Sequence, residues 1–180
     1  MSRLIELVPL NCIHCSMPIA AAVNEVAWVC PTCGTGMALN DEGELIPCEF
    51  HFSANLPPTG KGKPFWVAEG RVRISRQSYN LIGKSDQEAI SFWNQPRWFF
   101  IPAYECGLDD MLTIGTRWLT TPPPLVEGSK TDFVPITQSA SDVRAFAEFL
   151  IVAVEAARKD KVKGIQFVLE LQPPLLWILP

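Results

Sequence analysis

Two Cys-x-x-Cys pairs, "CIHC" at Cys12 to Cys15 and "CPTC" at Cys30 to Cys33, stand fourteen residues apart. Nothing else in the sequence limits the fold as tightly. Each pair supplies two thiolates to neighbouring vertices of a tetrahedron, and the backbone N–H groups of such a turn point at the sulfurs. A glycine after the second cysteine accepts the positive φ this turn requires; "CPTCG" has it in Gly34, whereas "CIHCS" has Ser16. Fourteen residues leave room for a hairpin that brings the pairs together. The two matched pairs read as a tetrahedral metal site, in preference to four reduced core thiols.

The flanking residues supply the hairpins. "EVAWVC" leads into the second pair as a short strand, and "GMALNDEGELIPC" gives two strands about a turn at Asp41 to Gly43. On these residues, about 8–50, the chain resembles the zinc-ribbon family. That resemblance implies a structural Zn²⁺ held by Cys12, Cys15, Cys30 and Cys33, with no open coordination position. Rubredoxin-like iron is the alternative, since rubredoxins share the "CPxCG" turn. They also usually carry a second glycine and a longer separation, and this chain has neither. Beyond residue 60, "KPFW" and "FFIPAYE" are similar to stretches of uncharacterised bacterial proteins with a ribbon at the front, a likeness that supplies no function.

Charge divides the chain. Between Arg3 and Lys61 there are six acidic residues and no lysine or arginine; then Lys61, Lys63, Arg71, Arg73, Arg76 and Lys84 face only Glu69. The reversal, with the Pro- and Gly-rich "SANLPPTGKGKP", predicts a ribbon over 1–52, a linker over 53–64 and an α+β domain over 65–180. A cation-free ribbon repels phosphate, so nucleic acid could bind only through the basic segment 61–84, with Trp66 and Tyr79 as stacking groups.

In the second part, Trp66 to Ser75 alternates as a half-buried strand with Arg71 and Arg73 on its wet face, and Arg97 to Glu105 is a more buried strand interrupted by Pro102, which marks an edge or a bulge. "GLDDMLTIGTRWLTTPPP" is a helix with Asp109 and Asp110 in its first turn. "SASDVRAFAEFLIVAVEAARKDK" is a second helix, with Ser141 as cap, Asp142 at its start and Arg158, Lys159 and Lys161 at its end. "GIQFVLELQPPLLWILP" gives two β-like runs broken by Pro173 and Pro174. The terminal "LLWILP" is too apolar for water: it fills the core or docks on another protein.

The apolar fraction of 48% and charged fraction of 19% describe a packed globular chain. The N-terminus reads as no secretory signal, no apolar run has the length of a membrane span, and paired cysteines suit a reducing compartment, so a cytoplasmic location is expected. Cys48 and His51 have the spacing of half a metal site, lacking partners unless Cys106 or His14 joins them. Cys106 beside a helix start suits a nucleophile, but Asp109 and Asp110 oppose its ionisation. With no phosphate loop, dinucleotide fingerprint or nucleophile elbow, no catalytic residue is assigned. The expected function is an accessory or scaffold protein. It would present the acidic ribbon and an aromatic surface (Phe92, Trp93, Trp98, Phe99, Phe100) with the C-terminus to a larger assembly.

Overall fold

A computed structural model of the chain describes residues 9–78, 84–158 and 162–180. Two sheets account for its strands. The smaller is antiparallel, with β1 (Ala27–Val29), β2 (Gly36–Leu39) and β3 (Leu45–Pro47) in that order. The predicted turn closes β2 onto β3: the Asn40 carboxamide oxygen accepts the N–H groups of Glu42 and Glu44 at 3.1 and 2.7 Å, and Gly43 takes φ 83°. Because side chains alternate across a strand, this sheet has two different faces. Trp28 and Met37 pack with Cys12 and Cys30. Ala27 and Ala38, paired across β1 and β2, face the main core with Ile136, Trp66 and Leu176. Alanines there let the sheet lie close to its neighbour. The approach is sealed by backbone, with Val26 N–H donating to the Ile136 carbonyl at 2.8 Å.

The larger sheet contains β4 (Phe50–Phe52), β5 (Lys63–Ser78), β6 (Arg97–Pro102), β7 (Val162–Leu171) and β8 (Leu175–Leu179). Its order is β4-β8-β5-β6, with β7 pairing β5 beyond the end of β8. The apolar C-terminus is thus an interior strand, parallel to β4 and antiparallel to β5. Of the two fates considered for it, it takes the core. β6 ends at Pro102 on the sheet edge, where a missing N–H costs no ladder bond.

β5 changes character along its length. From Phe65 to Ala68 every side chain is buried, because this half has β8 and β6 on its two sides and packing on both faces. Val67, assigned by alternation to the wet side, lies instead in a second cluster with Phe65, Phe100, Trp177 and Leu179, covered by Trp118 and Ile114. From Arg71 onward only β7 accompanies the strand, and the expected alternation returns, with Val72 buried and Arg71 and Arg73 exposed.

The helices are α1 (Lys84–Trp93), α2 (Leu108–Thr120) and α3 (Val143–Ala156). α1 is absent from the sequence expectations; it packs on β5 through buried Ala89 and Trp93. α2 carries Asp109 and Asp110 in its first turn as expected. It crosses α3 at Gly115, where a Cβ would stand 2.6 Å from the Leu150 side chain, so glycine sets the closeness of that crossing. α3 begins with a 3-10 turn, Ala140–Asp142, whose cap is Ser139 rather than the expected Ser141: the Ser139 hydroxyl accepts the Ser141 N–H at 3.3 Å. The extra turn moves the capping position two residues back. Lys159 and Lys161 lie outside the described residues. With strands in two sheets and helices grouped against one of them, the fold is α+β.

One feature of the core is ionic. Glu155, 1% exposed, accepts from the Trp93 indole at 2.8 Å and from Arg158 at 2.7 Å. It also pairs with Arg76 at 3.1 Å, and Arg76 reaches Asp86 at the same distance. Burial demands such pairing, and it ties β5, α1 and α3 together.

Candidate metal centre

The two Cys-x-x-Cys turns are built alike. Ser16 N–H donates to the Cys12 carbonyl and Gly34 N–H to the Cys30 carbonyl, both at 2.9 Å. Each turn then needs a left-handed residue, and both have one: Gly34 at φ 75° and Ser16 at φ 60°. The serine that departs from the family pattern therefore adopts the glycine-like conformation, at the steric cost that conformation carries for any side chain.

The turns aim N–H groups at sulfur with the same offset of two residues. His14 N–H approaches Cys12 Sγ at 3.4 Å, and the Cys15, Cys30 and Cys33 sulfurs accept from the backbone of Met17, Thr32 and Thr35. Such donors favour thiolates. The Thr35 hydroxyl and N–H bring the Cys33 thiol down to about 5, and the N–H groups of Cys33 and Thr32 lower Cys30. Cys15 goes the other way. Its Met17 N–H favours the anion, but desolvation and the surrounding sulfurs push it up to about 12. Four sulfurs this close cannot all hold negative charge without a cation among them.

Their geometry fits one. Cys12 and Cys33 sulfurs are 3.6 Å apart, as are those of Cys15 and Cys30, and all four lie within 4.8 Å of one another. A tetrahedral Zn–S distance of about 2.3 Å implies sulfur separations of about 3.8 Å. The cluster can hold a metal ion such as zinc. Its surroundings are graded, with Cys12 and Cys30 buried over Trp28 and Met37 and Cys33 exposed. The described residues before Lys61 contain no lysine or arginine, but Lys130, from the chain after α2, brings its Nζ to 3.5 Å from the Gly34 carbonyl.

Among the described residues no other set of His, Cys, Asp and Glu side chains converges in this way. Cys48 and His51 do not form the half-site their spacing suggests. The Cys48 thiol is pushed up to about 11 by burial and Glu49. His51 stacks on Trp177 with ring centres 4.9 Å apart and bonds Glu127 through Nδ1 at 2.5 Å. Cys106 is raised by burial and by Asp110, the reverse of an activated nucleophile. His14 is exposed, yet its side chain reaches the Cys33 sulfur and adds to the donors that favour that thiolate.

The basic segment is dispersed. Arg76 is committed to the buried ionic network, Arg73 pairs with Glu170 of β7, and Arg71 stands exposed far along β5 from Lys61 and Lys63. The aromatic residues that suggested a surface are mostly core: Trp93, Phe99 and Phe100 are fully buried, and Trp98 is half-exposed. Exposed large apolar side chains are spread over the described residues, from Leu108 and Val126 to Val168; the most exposed, Val23 at 87%, lies with Met17 at 48% on the loop between the cysteine pairs. Pro18 and Ala20 to Ala22 lie in the same open stretch. No helix among the described residues is long and apolar enough to cross a membrane. No protein-family model, curated protein or solved structure matches the chain.

Proposed function

We propose that the chain is a non-catalytic, zinc-stabilised adaptor that works through protein–protein contacts as an accessory part of a larger cytoplasmic assembly. Cys12, Cys15, Cys30 and Cys33 are the metal ligands. Four protein sulfurs complete a tetrahedron and leave no vertex for water or substrate, so the metal's role is architectural. Residues 1–52 are the recognising part, 53–64 the connection and 65–180 the platform.

The observation that carries this reading is the loop between the two turns. From Ser16 to Asn24 it contains no charged residue, and its Met17 and Val23 side chains are left in water. It is held by the first turn, with Cys12 N–H donating to Met17 and Ile19 N–H to Leu10, both at 2.9 Å. An uncharged loop with two apolar side chains in water, on a stretch that is otherwise acidic, suits a protein partner. It does not suit nucleic acid, whose phosphates need clustered cations. Zinc rather than iron follows the shorter spacing of the pairs, and colour decides between them, since a sulfur-ligated iron absorbs visible light.

The test joins metal analysis to capture. Protein prepared without chelator should be colourless and hold about one zinc per chain. Val23→Asp should keep that zinc while losing the proteins retained by the native chain, and Arg71→Glu should lose none of them. A Val23→Asp chain that retains the same proteins as the native one would remove the loop from function.

A further inference from the structure

A cavity of about 360 Å³ lies at the seam between the two sheets, within the size range of ligand pockets. It is a second feature, separate from the cysteine cluster and independent of the adaptor reading. Three parts of the chain wall it: the β2–β3 hairpin with the residues just after it, the capped turn before α3, and Pro174 to Leu176 leading into β8. Its floor is apolar. Ile46 and Leu175 line it while 42% and 44% exposed, so large apolar side chains are left facing an open concavity. Trp66 contributes ring only, because its N–H is spent on the Gln138 carbonyl at 2.8 Å.

The polar side of the cavity has one sign. Asp41, Glu42 and Glu49 line it, and no lysine, arginine or histidine does. Among the described residues none of these three carboxylates has an ion-pair partner. The N-terminus of α3 adjoins through Ser139 and Ser141. Its partial positive charge of about half a unit is small beside three carboxylates, and Asp142 in the first turn offsets it further. An occupant must therefore bring an apolar body and a positive charge. Pro47 and Pro174 in the walls have no N–H to give an extended peptide, which disfavours backbone pairing there.

We infer that this cavity is a binding site for a small organic monocation: an apolar group carrying a protonated amine or guanidinium. The apolar part sits on Ile46, Trp66 and Leu175, and the charge lies among Asp41, Glu42 and Glu49. The same chemistry occurs free and on the lysine or arginine of a peptide; the prolines favour the free molecule.

Titration of the full-length, metal-loaded chain with phenethylammonium, followed by methyl NMR, tests this. The expected result is saturable shifts confined to Ile46, Leu175 and Leu176. Affinity should be at least tenfold weaker for 2-phenylethanol, and no saturation should occur with 3-phenylpropanoate. The Asp41→Asn, Glu42→Gln, Glu49→Gln triple variant should lose at least tenfold in affinity for the ammonium with unchanged melting temperature and zinc content. Should that variant fold poorly, salt takes its place: raising sodium chloride on the native chain should weaken the ammonium and leave the alcohol unaffected. Equal affinity for all three probes, or no saturation with any, overturns the assignment. Tighter binding of an acetyl-Leu-Lys-Leu-amide peptide than of the free ammonium overturns it too, in favour of docking by a partner's basic side chain.

Discussion

Beneath the metal-binding turns the smaller sheet buries Cys12, Trp28, Cys30 and Met37. The larger sheet buries Trp66, Trp93, Phe99, Leu150, Ile151 and Leu176 on one face and Phe65, Phe100 and Trp177 on the other. A region with two large apolar side chains in its own core cannot offset the entropy of ordering its loops, which is why small folds so often depend on a metal or a disulfide. A region with three helices and two covered faces has no such need. Yet the two are not strangers. Ala27 and Ala38 belong to the main core, and β4, soon after the smaller sheet in the sequence, pairs with β8 of the larger. The contrast is one of cohesion, a cysteine cluster that can hold a metal against apolar burial, with a shared seam.

The largest way to break this contrast is to remove Leu175 to Pro180. Leu176 to Leu179 are all buried between β4 and β5, and each large side chain so buried contributes on the order of 2 kcal/mol. The truncated chain should lose most of its far-ultraviolet helix signal, since α3 packs against the core this strand completes. Retention of about one zinc per chain would then show that the ribbon folds without its neighbour. An intact melting transition in the truncated chain would contradict the interior placement of β8.

Cys30→Ser attacks the other side. The metal should be lost, and with it the order of the ribbon, because a structural zinc supplies roughly 10–16 kcal/mol of folding free energy in small zinc domains. The three helices among the described residues all follow the smaller sheet in the sequence, so their circular dichroism should persist, with a lowered melting temperature transmitted through Ala27 and Ala38. If the helix signal collapses together with the metal, the two regions are one cooperative unit. Trypsin sharpens the same point. Lys61 is exposed in the connecting stretch, so a first cut there is expected, and the two fragments should stay associated because β4 remains paired with β8.

Glu155→Gln acts on the larger region alone. The carboxylate is shared by Arg76, Arg158 and the Trp93 indole, and removing one partner from a buried ion pair costs about 3–5 kcal/mol. Chemical denaturation should register that loss while zinc content stays unchanged.

These particulars show where a sequence speaks and where it is silent. The hairpin at Asn40 to Glu44 was legible because turn chemistry is local, and the β8 strand because an apolar run must go somewhere dry. The convergence of Cys12, Cys15, Cys30 and Cys33 was legible from spacing alone. Arg76 looked like Arg71 and Arg73, yet it shares parity with Val72 and Ile74 on an alternating strand, and that signal placed it inward. Glu155 sits four residues after Ile151 on the same inward face of α3. A buried base and a buried acid on facing elements were thus foreshadowed together. The helix α1 was hidden by its short length and polar start, since only Ala89 and Trp93 anchor it fully. The apolar loop at Met17 to Val23 was masked by the aromatic residues, whose bulk drew attention to a surface although bulk is what cores require.

The smallest effect concerns the one backbone asymmetry between the two metal-binding turns. Ser16 and Gly34 occupy equivalent positions with φ 60° and 75°, but only the serine has a Cβ to crowd the following carbonyl, a cost of roughly 1–2 kcal/mol for an ordinary residue. Ser16→Gly relieves that strain while making the unfolded chain more flexible, which takes back about 0.5–1 kcal/mol. The net should be a stabilisation of about 0.5–1 kcal/mol, read as slower zinc loss to a competing chelator. Gly34→Ser reverses both contributions. It also sets a Cβ about 3.2 Å from the Lys130 ammonium, a flexible neighbour able to move aside, so zinc should leave faster by a similar factor. Opposite signs for the two exchanges would establish that the turns are conformational equivalents. A Ser16→Gly chain that releases zinc faster would mean that the serine hydroxyl, not its backbone, supports the first turn.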